Sequence, residues 1–109
     1  MNIPSKDANF DTVRAWALQE PVSVKGCDSN TRDNLSERGL TAGYDWILNN
    51  KPVSLTKETR KAFKKHVKES LQHQPAGFLF GGIILMAIIQ CIVGWLTRKL
   101  LDEWFSQNK

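Results

Sequence analysis

Two cysteines are all that this chain of 109 residues contains, and they stand in surroundings of different character. Cys27 lies in a polar stretch and Cys91 in an apolar one, so no intrachain disulfide framework is expected. A reducing surrounding suits the N-terminal part. Histidine is equally scarce. His66, Glu69 and His73 stand at i, i+3 and i+7 on one helix, but a polar helix face is the ordinary reading of such a set, and no metal is predicted. Cys27 has Lys25 nearby and no histidine, so nothing beside it would activate a nucleophile. No glycine loop of phosphate-binding form, no CxxC and no GxSxG occurs. With these missing, neither an enzyme nor a cofactor is expected. The N-terminal MNIPSKDANFD also lacks the apolar core of a secretory signal.

Charge is absent from one long stretch. Ala76 to Thr97 reads AGFLFGGIILMAIIQCIVGWLT, 22 positions between Pro75 and Arg98-Lys99. A hydrocarbon layer of about 30 Å needs about 20 apolar helical residues, and at about 1.5 Å each this run reaches roughly 33 Å. A core helix of that length would show a polar stripe, whereas only Gln90 and Thr97 are clearly polar. The fold class predicted is all-α, with a single transmembrane helix at 76–97. A small helical module at 1–56 and a basic juxtamembrane helix at 57–75 precede it, and an amphipathic interfacial tail at 98–109 follows.

The net charge of +4 is unevenly placed. Residues 1–56 carry six basic and seven acidic side chains, whereas 57–75 carry six basic and two acidic. By the positive-inside rule, that block predicts the N-terminus inside and a short C-terminus outside. A cytoplasmic or inner membrane, or the internal membrane of a virion, is the expected location.

Local patterns place the helices. Asn9 or Asp11 caps a first helix to about Gln19, with Phe10, Val13, Trp16 and Ala17 on its apolar face. Thr31 or Asn34 starts a second toward Asn49, weakened by Gly39 and Gly43 at about 1 kcal/mol each and expected to break near Gly39. Asn50-Lys51-Pro52 ends it. Thr56 caps a third helix to about Gln72, with Ser54 as the competing cap.

That third helix carries the most informative polar set. At about 100° per residue, Lys57, Arg60, Lys61, Lys64, Lys65 and Lys68 fall within roughly 140° of arc, flanked by Phe63, Val67 and Leu71. A basic face beside an apolar one suits anionic headgroups, at roughly 1 kcal/mol per Lys or Arg. A solvated block that only sets topology is the plainer reading. Nucleic acid is a poorer partner, because no aromatic residues interleave the basic ones. In the apolar run, Gly77 and Gly81 form a GxxxG pair, and Ala87, Gln90 and Gly94 share a second face. Both are candidate contacts to another subunit or to a second copy, though small residues are common in membrane helices. Trp95, Trp104 and Phe105 fit an interfacial anchor. Trp16, Tyr44 and Trp46 are candidate docking residues, since aromatic side chains are enriched at contacts.

Together these features predict a non-enzymatic, single-pass membrane protein. It would anchor or bridge a larger assembly at an anionic membrane, as a structural protein of a virion or phage or an accessory subunit of a membrane complex. A holin-like, pore-forming lysis protein is the alternative.

Overall fold

The computed structural model describes residues 3–72 and 82–106, with backbone alone described at 82–85. Four α-helices form among the described residues, and the first three start where the local chemistry supplies a cap. The first, α1, is Phe10–Ala17, and the Asn9 carboxamide oxygen accepts the Thr12 N–H at 2.9 Å. Asp28 caps α2, Ser29–Asn50, accepting the Thr31 N–H at 2.8 Å and its hydroxyl at 3.0 Å. These bonds hold the Asp28 carboxyl below its ordinary value. Lys51 closes α2 in the left-handed conformation at φ 43°, and Pro52 prevents continuation. Helix α3, Lys57–Gln72, begins where the Thr56 hydroxyl accepts the Thr59 N–H at 3.1 Å. Helix α4, Gly82–Leu96, runs on into a π-helical segment, Thr97–Phe105, with i→i+5 bonding. At the junction the Thr97 hydroxyl donates back to the Val93 carbonyl at 2.7 Å. Such a back-bond competes for the carbonyl that the regular ladder would use.

Helix α2 does not break at Gly39. It is continuous for 22 residues because both glycines face the core, where close packing outweighs their low propensity. A Cβ on Gly39 would lie 2.4 Å from Leu96 Cδ1, and one on Gly43 would lie 2.7 Å from Leu100 Cδ1 and 3.0 Å from the Phe63 ring. Leu96 of α4 and Leu100 of the π-segment thus seat directly against the two glycines.

The expected membrane span is the principal correction. Among the described residues, no helix is long and apolar enough to cross a membrane. From Ile88 onward, the large apolar side chains of α4 are covered by protein. Ile88, Ile89, Ile92, Val93 and Leu96 are buried with Leu35 and Leu40 of α2 and with Phe63, Val67 and Leu71 of α3. Residues 76–81, the start of the apolar run, lie outside the described residues. The transmembrane fold class, the single-pass description and the membrane location with fixed termini are therefore withdrawn. All-helical character stands, with no strand among the described residues.

The far end of the bundle is aromatic. Trp104 is 2% exposed, stacks on Tyr44 at 5.8 Å and donates its indole N–H to the carbonyls of Pro4 and Ser5 at 3.1 and 3.3 Å. Tyr44 in turn donates to the Ala8 carbonyl at 3.0 Å and meets Phe10 edge-on. Lys99, only 3% exposed, reaches Glu20 at 3.1 Å and Glu103 at 3.3 Å, with its ammonium 4.9 Å from the Trp16 ring centroid. The segment before α1 and the loop after it are thus both tied to the π-segment.

Candidate functional site

Helix α3 divides its surface sharply. Phe63, Val67 and Leu71 point into the core, which fixes the rotation of the helix and leaves its lysines outward. Lys57, Lys61, Lys64 and Lys65 are exposed, and Lys68 is half-buried. At about 100° per residue, these five share an arc of roughly 100°. None of them pairs with a carboxylate among the described residues. Arg60 differs: it is half-buried and bound to Asp102 of the π-segment, so it ties α3 to the last element. The six basic residues grouped by sequence therefore separate into five outward lysines and one internal tie.

Five unpaired ammonium groups on one helix flank repel each other, and an approaching polyanion relieves that repulsion. Lysine is a point charge on a flexible stem, suited to diffuse anionic surfaces and poorly suited to bidentate recognition. Phe63, Val67 and Leu71 are fully covered, so this face offers charge and no large apolar side chain.

The other expected contact residues are placed as follows. Gly77 and Gly81 lie outside the described residues. Ala87, Gln90 and Gly94 are exposed on the outer face of α4, beside Cys91. An open cleft of about 560 Å³ lies between that face and the loop at Glu20–Ser23. Trp95 is buried, its indole N–H without a partner among the described residues. Trp104 is in the core and Phe105 half-buried at its edge. Trp16 is buried against Lys99, and Tyr44 and Trp46 are half-buried, Trp46 edge-on to Phe63 at 5.6 Å. Among the described residues no three His, Cys, Asp or Glu side chains converge to hold a metal, and His73 lies outside them.

Two features escaped the sequence reading. Lys99 is internal although it sits in a charged run, because the i→i+5 bonding changes which residues share a face. Residues 47–52 read as a helix end and a stop, yet they also form one wall of a cavity. Periodicity groups Leu48 with Leu35, Leu40, Tyr44 and Ile47 as a buried set, whereas it is 45% exposed, so no sequence signal marked the cavity.

Comparison with protein-family models, with curated proteins and with solved structures gives no match.

Proposed function

We propose that this chain is a non-enzymatic helical binding module that attaches to an anionic lipid surface through the outward lysines of α3, as one component of a larger assembly. The observation supporting this reading is the five-lysine flank, unpaired among the described residues, on a helix whose apolar side is already used. The rest of the molecule adds a rigid support, since α3 is packed against both α2 and α4. Single lysines near an anionic membrane contribute roughly 1 kcal/mol, so several acting together give reversible attachment that weakens with salt. The holin-like alternative relied on the spanning helix and is not carried forward.

Co-sedimentation of the purified chain with vesicles tests the proposal. Binding is expected to vesicles of phosphatidylcholine with phosphatidylglycerol, to be weak on pure phosphatidylcholine, and to fall as ionic strength rises. The triple variant Lys61→Gln, Lys64→Gln, Lys65→Gln removes roughly 3 kcal/mol of attraction and should weaken binding by about two orders of magnitude. Equal binding to neutral and anionic vesicles would refute the proposal, as would a triple variant that binds like the parent.

A further inference from the structure

We infer that the cavity where α2 gives way to the α2–α3 loop is a binding site for a single-chain amphiphile with an anionic head, of the medium-chain fatty carboxylate class. The cavity has a volume of about 320 Å³ and is lined mainly by carbon. That is near the lower end of the roughly 300–1,000 Å³ found for small-molecule sites. Ile47, Leu48 and Pro52 form one wall, and Trp104 and Phe105 the other. Leu48 is 45% exposed, an unusual position for a large aliphatic side chain in a molecule that buries most of its others. The Trp104 indole N–H is already engaged by the backbone of residues 4 and 5, so its ring offers the cavity an apolar face.

Charge selects the head group. Lys6 and Lys51 line the cavity from opposite segments of the chain, with Asp7 as the single acidic neighbour. An apolar chain against the aliphatic and aromatic walls would leave its carboxylate beside the two ammonium groups. The backbone at Lys51 points the same way. It holds φ 43°, a conformation that glycine adopts freely and lysine does not, immediately before a proline. A glycine would close α2 better, and a glycine there would remove one of the two cations from the cavity. Such a conformation is common at a helix end but is usually taken by glycine, and strained residues cluster at ligand-binding sites. This site is separate from the lysine flank of α3, and its test does not depend on vesicle binding.

The test is calorimetric titration of the purified full-length chain with decanoate, with 1-decanol and butyrate as comparisons. Decanoate should bind saturably at one equivalent, below the concentration at which it forms micelles, and tighter than either comparison. Leu48→Asp places a carboxylate in the cavity from an exposed position and should weaken decanoate at least about tenfold without loss of folding. Lys51→Gly should weaken it about two- to fivefold, the range of a solvated ion pair, while raising the melting temperature as the strain is relieved. The combination of weaker binding with a more stable fold is what a purely structural lysine would not produce. Binding that never saturates, or that is unchanged in both variants, would overturn the assignment. Equal affinity for decanoate and 1-decanol would overturn the role given to the lysines.

Discussion

At the scale of the residue, Gly39, Gly43 and Gly94 make opposite predictions from one chemistry. Gly94→Ala meets nothing within 4 Å and should stabilise by up to about 1 kcal/mol through helix propensity alone. Gly43→Ala collides with Leu100 and with the rigid Phe63 ring and should destabilise by about 1–2 kcal/mol net, with Gly39→Ala, which meets mainly one leucine methyl, somewhat milder. Urea denaturation of the three variants measures this, and a common sign for all three would contradict the packing described. Glu20 gives a pH prediction. The hydrogen bond and charge of Lys99 hold its carboxyl below the ordinary value of 4.5. A carboxyl whose folded value is depressed contributes stability that is present above the unfolded value and lost as pH falls through the folded one. Asp28, held low by its bonds to Thr31, acts in the same direction below its ordinary 3.8. The urea midpoint should therefore fall as pH drops below about 4.5. Lys99→Met should flatten that fall, while changing stability at neutral pH by little, since the carboxylates it leaves behind, Glu20 and Glu103, remain in contact with water.

At the scale of the element, α4 has two unlike faces, and that separates a bundle from a span. Cys91 is exposed, Ile92 beside it is fully buried, and in lipid the two would be equivalent. A maleimide should modify Cys91 quickly in the native protein. Ile92→Cys, in a chain lacking Cys91, should be protected until the protein unfolds. Cys27 should react more slowly than Cys91, because partial burial, the first cause, pushes its thiol up. Ile92→Ala should cost about 2–5 kcal/mol, and Ala87→Ser on the outer face less than about 0.5. Much of the helical layout was legible because it rests on local chemistry: Asn9 and Thr56 as caps, Pro52 as a stop, and Phe63, Val67 and Leu71 at four-residue spacing. The run at 76–97 was misread for a physical reason. Length and apolarity are equally compatible with lipid and with a core, and only the partner surface decides. The sequence marker of that partner was the pair Gly39 and Gly43, which counted as helix weakness when judged by propensity alone. The lysine flank was legible from periodicity, whereas the cavity was not, since its walls come from residues 6, 47–52 and 104–105.

At the scale of the whole molecule, one buried cluster draws on every helix from α1 to the π-segment. A chain this small has a limited core, so loss of one large member should be felt everywhere. Trp104→Ala removes a buried ring, its stack on Tyr44 and two hydrogen bonds. It should cost about 3–5 kcal/mol, a large share of the total for a domain of this size. Circular dichroism melts should show one cooperative transition in the parent and an early, broad one in this variant. The same tryptophan holds Pro4 and position 104 side by side although nearly the whole described chain separates them. Closing a loop that long before any of its contacts form is an entropic burden on folding. A circular permutant would lift it. Joining the two ends by a short linker and opening the chain at Val53, which is 88% exposed, turns the most distant contact of the native order into a local one. Such a permutant should keep the bundle, and its folding rate reports the balance between this closure, now local, and the α2–α3 packing, now distant.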